Sequence, residues 1–522
     1  MIRFRLALVL AFVTAFVALA YEIVWFRAYS FAARGGAPAF GLMLGFYLLG
    51  VALGSRWVQR QSRGEHKAGL FSLAALLLLA TVMAFLVVPA MAWVVTFTSS
   101  FMALPVLTLA AGSMGATLPL LAHAAVAPDG RAGANVSYLY IANILGSASG
   151  SLLVGFVAMD TLSLSQICIV LTVLSLAVVA ALASYARPGA LRWCLPAFAL
   201  AICATVYVGP SAYAGVYHKM VYRGDYRNHA PLKLAVENRH GAIVVDADDR
   251  LYGGGAYDGV FNTSILDDRN MVVRAYVLGA LMEPPRRVLM IGLATASWAQ
   301  VVVNMPGVEH LTVVEINPGY EELVARYDAV KSILDNPKVT IVYDDGRRWL
   351  VRHPEEKFDA VVQNTTHHYR AHITNIVSSE YFGMVKEHLN PGAAVLVNTT
   401  GSEEIMRTVL ELFPYGTRVF NTIVASDQRV GFDGARFDRM LRTMRIDGQP
   451  VLDVTCDPAT DACRKILERH RQLTHLPSEP GWPKPTDLAV EDRSTLLPRL
   501  RASGVSVITD DNMASEWKAL KF

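Results

Sequence analysis

About seven stretches of the first 210 residues are long and apolar enough to cross a lipid bilayer, which confines this half of the chain to a bundle of membrane helices. A spanning helix needs roughly 20 apolar residues, because the hydrocarbon core offers no water to satisfy an exposed backbone. The runs lie near residues 4–30, 38–58, 69–95, 101–126, 135–159, 163–186 and 190–209. From 70 to 127 the sequence is almost continuously apolar, and Thr98, Ser99 and Ser100 supply the break. The first run is too long for a signal peptide and lacks a clear cleavage site, so it reads as a retained span. Overall the 522 residues are 53% hydrophobic and 17% charged, against about 25% charged in a soluble protein. The apolar excess lies before residue 210, and charges, His and Pro return after it. A net charge of +3, scattered along the chain, speaks against a nucleic-acid surface.

Orientation follows from Lys and Arg in the short loops, which stay on the cytoplasmic side. Arg3 and Arg5 precede the first span, Arg56, Arg60, Arg63 and Lys67 follow the second, Arg131 the fourth, and Arg187 and Arg192 the sixth. All fall on one side; Arg27 and Arg34 dissent weakly. Seven spans would then put the soluble half outside the cytoplasm, whereas a ligand made in the cytosol would require the opposite face. One miscounted span would remove the conflict, so the face is left open. The location expected is a multi-pass, bacterial-type inner membrane.

Ionisable residues inside spans are functional candidates by default. Glu22 lies deep enough to need a partner. Arg27, His123 and Asp160 lie near span ends, where an interfacial position beside Tyr21, Trp25 and Tyr29 accounts for them. Gly146, Ser147, Ser149, Gly150, Ser151 and Gly155 read as close helix packing. No paired broken helices argue for a transporter.

In the soluble half, Leu232–Glu237 and Gly241–Asp246 read as a small β-hairpin element, and about Asn270–Met282 as a helix stopped by Pro284 and Pro285. Residues 287–292 form a buried parallel strand ending in Gly292, then a helix spans 295–304. A second strand, 311–315, ends in Glu315. That interval suits a ribose-binding acid, whose carboxylate accepts from both ribose hydroxyls. The loop Gly292-Leu293-Ala294-Thr295-Ala296-Ser297 has one glycine where a dinucleotide loop has three. Gly292 and Ala294 still allow close approach, but no tight pyrophosphate turn is suggested, which argues for a ligand without phosphates. A third strand, 339–343, ends in Asp344-Asp345-Gly346, where an Asp can accept from an adenine amino group. A fourth, 358–363, ends in Asn364-Thr365-Thr366-His367-His368. Strand ends of an open α/β sheet converge on one crevice, so Gly292, Glu315, Asp345 and Asn364 should surround one pocket.

The expected architecture is a polytopic α-helical membrane domain, 1–210, followed by a linker and hairpin element, 211–284, an α/β Rossmann-like methyltransferase-fold domain, 285–440, and a C-terminal extension, 441–522. Cys168, Cys194 and Cys203 lie inside spans as small buried residues. Cys456 and Cys463 can close a short disulfide loop or stand as two thiols. No His or Cys cluster has metal-site spacing, so no metal is expected.

Across residues 232–430 these strand-end residues, in their order and spacing, resemble the spermidine synthase family, within the adenosylmethionine-dependent methyltransferase-like folds. The membrane half, with Tyr21-Glu22 and Trp25, looks like that of bacterial membrane-bound spermidine synthase-like proteins, and Ile508-Thr509-Asp510-Asp511-Asn512-Met513 resembles the ending of such chains. The resemblance implies that Glu315 holds ribose, that Asp345 holds adenine, and that Asp258 and Asn262 border the same pocket. This chain also departs from the family. The family carries an Asp-x-x-Asp-type segment after the fourth strand, whose first Asp deprotonates the attacking amine; here Gln363-Asn364-Thr365-Thr366 has no acid. The glycine loop has lost its acid too. Where the family has Tyr-His-Glu, this chain has Arg274, which suits a carboxylate by bidentate pairing and is equally the sort of Arg a surface helix carries.

Amine attack needs a base, because an ammonium has no lone pair. His367, His368 or Asp510 could supply one. A base-free route is that the carboxylate of S-adenosylmethionine attacks its own γ-carbon, expelling methylthioadenosine and giving homoserine lactone, with Arg274 orienting it. From the residues alone this cyclising cleavage leads. Alkyl transfer, aminopropyl or aminocarboxypropyl, to an amine is the alternative, and a non-catalytic adenosyl sensor or transporter the third. The partners implied are a small adenosyl substrate (S-adenosylmethionine as substrate), the lipid bilayer, no nucleic acid, and homo-oligomerisation as an option.

Overall fold

A computed structural model describes residues 4–61, 69–186, 191–364, 367–479, 489–513 and 516–517. Two compact units emerge: residues up to 247 with 254–256, and residues 248–253 with 257 onward.

The first unit begins with α1 (Phe4–Ala32), α2 (Pro38–Gln61) and α3 (Leu70–Val94). The polar break at 98–100 ends α3 and starts a short 3₁₀ turn, after which the fourth span runs as α4 (Leu104–Gly115) and α5 (Thr117–Ala125). Then come α6 (Ala132–Leu153), a π-helical segment Val154–Ala158, the single turn α7 (Met159–Thr161), α8 (Leu164–Ala186), α9 (Leu191–Tyr213) and α10 (Val216–Tyr222). Among the described residues seven helical segments are long and apolar enough to cross a membrane, which makes the chain a multi-pass membrane protein by its architecture. The small-residue stripe works as expected: a Cβ on Gly146 or Gly150 would run into the backbone carbonyls of Phe12 and Phe16 on α1. Glycine therefore lets α1 and α6 approach to backbone contact. Glu22 finds its partner in the hydroxyl of Tyr47 on α2.

The same unit carries the hairpin of β1 (Leu234–Asn238) and β2 (Gly241–Val245), paired antiparallel with Leu234 opposite Val245. Asn238 Oδ1 accepts from the backbone N–H groups of His240 and Gly241 and closes the turn.

The second unit opens with β3 (Arg250–Gly253) and, from Tyr257 on, β4 (Ala256–Val260), and is built on one eight-stranded sheet. In chain order its strands are β5 (Arg287–Ile291), β6 (His310–Glu315), β7 (Val339–Tyr343), β8 (Phe358–Gln363), β9 (Leu389–Asn398), β10 (Tyr415–Val419) and β11 (Thr422–Ser426); the two-residue strands β12 (Arg445–Ile446) and β13 (Gln449–Pro450) pair apart, and β14 (Val490–Asp492) is last. The spatial order is β14-β10-β11-β9-β8-β5-β6-β7. β5 to β9 pair parallel, and β10, β11 and β14 antiparallel. β5, buried from Val288 to Ile291, pairs with β6 on one side and β8 on the other. That reversal of strand order opens a crevice at the carboxyl ends of the central strands. On one face Leu289, Ile291, Val361, Val395 and Val397 pack against the helices Ser379–Glu387 and Glu403–Leu412.

Two helices are shorter than the pattern predicts. Asn270, at φ +61°, cannot continue a right-handed helix, so the expected 270–282 becomes α11 (Val273–Tyr276) and α12 (Leu278–Leu281). Ala296, at φ +57°, delays the next helix to α13 (Ser297–Val303). Cys456 and Cys463 are joined by a disulfide, with their Cα atoms 5.6 Å apart.

Candidate active site

The loop after β5 sets the floor of the crevice. Gly292 has φ +92°, and a Cβ there would stand 2.5 Å from the carbonyl oxygen of Asn364. Its N–H donates to Val314, and the Asn364 N–H to Ile291, so three strand ends are tied at one point. Ala294 (φ +47°) and Ala296 (φ +57°) are also left-handed. The loop thus keeps a glycine loop's backbone while presenting two methyl groups, at a cost of roughly 1–2 kcal/mol for each alanine.

Glu315 stabilises this loop from β6. One carboxylate oxygen accepts from Leu293 N–H at 2.7 Å, the other from Asn317 N–H at 2.8 Å. Burial pushes its pKa up, against the pull of these backbone donors, and Asp258 pushes it up further. The Ala294 N–H is a third backbone donor to this carboxylate, which keeps acceptor capacity for a ligand hydroxyl. Asp345 caps the helix Gly346–Arg352 by accepting from Arg348 N–H at 2.8 Å, which fixes its carboxylate at the end of β7. Its neighbour Asp344 points elsewhere, toward the guanidinium groups of Arg348 and Arg352.

Asp258, in the middle of β4, has a nearly buried side chain. Its carboxylate accepts from the Tyr320 hydroxyl at 2.6 Å and faces Arg370 at 3.6 Å. Arg370 comes from the segment after β8, as do the two histidines. His367 Nε2 lies 3.1 Å from the Tyr257 carbonyl. A carbonyl only accepts, so Nε2 carries the proton and the ring's lone pair is on Nδ1. The Thr400 hydroxyl accepts from the His368 N–H and meets its Nδ1, both at 3.2 Å. Asn364 Oδ1 accepts from Asn398 Nδ2 at 3.2 Å. An amide in that place cannot take a proton at neutral pH.

The remaining expected residues have other work. Arg274 is 7% exposed. Its guanidinium donates to the carbonyls of Met271 and Asn270 and to the side-chain oxygens of Asn398 and Asn421, and lies over Trp298. Burial pulls its pKa down to about 10, against the field of Asp268. It braces the amides behind Asn364 and is not presented as a clamp for a substrate carboxylate. Asp510 accepts two hydrogen bonds from Arg347, at 2.8 and 2.6 Å, and a third from Ser378 at 2.6 Å. That arrangement holds its pKa below the usual carboxylate range and fastens the C-terminal segment instead of offering a base. Asn262 bonds within its own loop, to Ser264 and Arg269. Thr365 and Thr366 lie outside the described residues. Sequence reasoning missed Tyr320, Arg370 and Asn398. Arg370, three residues past His367, was a visible hint that an acid nearby needed balancing.

The profile of the family described as "Spermine/spermidine synthase domain" matches residues 275–424, from α11 to β11. The soluble half is spermidine synthase-like. Among curated relatives, the polyamine aminopropyltransferase of Mycobacterium tuberculosis is 27% identical over 308 residues, 55% of this chain and 57% of the relative. Polyamine aminopropyltransferase 1 of Streptomyces coelicolor is 26% identical over 167 residues, 30% of this chain and 31% of the relative. The chain thus matches little more than half the length of the first of these. A solved spermidine synthase in complex with the transition-state analogue AdoDATO aligns at 16% identity and a TM-score of 0.36, covering 47% of this chain and 85% of its own. The transferase names of these relatives overturn the expectation of cyclising cleavage to homoserine lactone, which would need no amine. Among the described residues no group of three or more His, Cys, Asp or Glu side chains could hold a metal ion.

Proposed function

We propose that the soluble half transfers an aminopropyl group from decarboxylated S-adenosylmethionine to an amine, with His367 as general base. The amine nitrogen attacks the propyl carbon bonded to sulfur. That C–S bond breaks, methylthioadenosine leaves with the bonding pair, and the amine proton passes to His367 Nδ1. The observation that carries this is the contact between His367 Nε2 and the Tyr257 carbonyl, which fixes the imidazole next to Asp258, in the segment in which the family's acid has become Asn364. Glu315 and Asp345 would take the ribose and the adenine. The internally bonded Arg274 favours the decarboxylated donor, because its guanidinium is committed to backbone carbonyls and to the Asn398 and Asn421 amides.

The test uses the full-length protein in detergent with the decarboxylated donor, alone and with a monoamine, a diamine and a triamine, and reads methylthioadenosine by mass spectrometry. Amine-dependent release supports the proposal, together with a loss of at least roughly 100-fold in His367→Ala, the scale of general-base catalysis. No release with any amine would overturn it.

A further inference from the structure

We propose that the soluble half works on the extracytoplasmic face of the membrane, a compartment in which its Cys456–Cys463 disulfide persists. The first observation is where the chain leaves the bundle. Within the first unit, the β1–β2 hairpin is fastened to the carboxyl end of α1 and the α7–α8 junction. Glu237 accepts from Leu164 N–H at 2.7 Å, and Asp160 from Arg239 N–H at 2.8 Å. The Arg27 guanidinium reaches the Arg239 carbonyl, and Arg223 donates to the carbonyl of Ala32, the last residue of α1, at 3.1 Å. This fixes the end of the bundle from which the soluble half departs, whatever number of spans is counted. Among the described residues beyond 248, no helix is long and apolar enough to cross a membrane.

The second observation is charge. The hairpin lies at the end opposite Arg5, Arg56, Arg60 and Arg131. Basic loops stay in the cytoplasm, so the hairpin end is outside. Arg27, which seemed to dissent, faces the carboxylates of Glu237 and Asp160 and brings little net charge to that end. The third observation is redox. Cys463 is 1% exposed, in the first turn of the helix Asp461–Thr474, whose capping Thr460 accepts from Cys463 N–H. A disulfide of this kind persists in an oxidising compartment and not in the cytosol. Geometry, charge and redox chemistry agree independently.

One consequence rests on the aminopropyl proposal. The donor is a sulfonium that also bears an ammonium, and a charged group does not cross hydrocarbon unaided. A transmembrane transport step must therefore supply it, and methylthioadenosine is released outside the cytosol.

The experiment is thiol labelling of the full chain in intact spheroplasts, with Cys168, Cys194 and Cys203 replaced by alanine. The expected result is labelling by a membrane-impermeant maleimide only after an impermeant reductant, and none in Cys456→Ala/Cys463→Ala. Labelling that needs permeabilised membranes and no reductant would overturn the proposal. Should the cysteine variants fail to accumulate, reporters fused after Phe522 decide. An active alkaline phosphatase with a dark green fluorescent protein is expected, and the reverse overturns it. A chain labelled from outside yet inactive with every amine would refute the transfer chemistry and uphold the face.

Discussion

Gly292→Ala and Ala296→Gly change one methyl group in the same loop, and the structure separates their effects. At Gly292 an added Cβ must occupy φ +92° and stand 2.5 Å from the Asn364 carbonyl. The left-handed conformation costs roughly 1–2 kcal/mol. Overpacking against backbone costs about 1–3 kcal/mol more, because that carbonyl belongs to a strand end tied to β5 and cannot swing away. The expected loss is about 2–5 kcal/mol. At Ala296 the reverse change relieves about 1–2 kcal/mol of left-handed strain. It forfeits about 0.8 kcal/mol for a buried methyl and about 0.4–1 kcal/mol of unfolded-chain entropy. The net should lie within about 1 kcal/mol of zero. Pulse proteolysis of the full-length protein across a urea series, following the band of the soluble half, measures both without a ligand. A loss above about 2 kcal/mol in Ala296→Gly would refute the left-handed loop, and so would an innocuous Gly292→Ala.

Glu315→Gln puts an amide N–H₂ against the N–H of Leu293 or Asn317; the mismatch should cost about 1–3 kcal/mol and weaken methylthioadenosine binding, read by calorimetry, at least roughly tenfold. Asp510, with its pKa held down by Arg347, contributes stability that is present above the ordinary value of about 3.9 and is lost as pH falls through the lower folded value. Asp510→Asn should therefore lower the urea midpoint at pH 7 by an amount that shrinks as pH falls below about 3.9, and a gap that stays constant on acidification would argue against the Arg347 pairing. In the bundle, Gly150→Leu should cost about 3 kcal/mol or more by parting α1 from α6, while Gly133→Leu, whose Cβ meets nothing within 4 Å, should leave the detergent melting point unchanged.

What was legible in the sequence was whatever depends on periodicity and local rules. The seven spans, the hairpin, the four central parallel strands and the acid at the end of β6 all follow from apolar runs and from residue types at their ends. The disulfide was legible as one of two options. Tertiary structure decided which polar groups face a ligand and which face one another. Arg274 and Asp510 looked like a clamp and a base because a charged residue near a strand end or a chain end has many conceivable partners. Folding gave them Asn398 and Asn421 in one case and Arg347 and Ser378 in the other, each more than 70 residues away in the chain. The tautomer of His367 is likewise set by Tyr257, 110 residues earlier. The left-handed alanines are the converse case, since local preference argues against φ +47° and +57° and only the crossing of three strands enforces them. Sequence determines what each residue can do at short range; which capability is used depends on long-range partners that only chain closure brings within hydrogen-bonding distance.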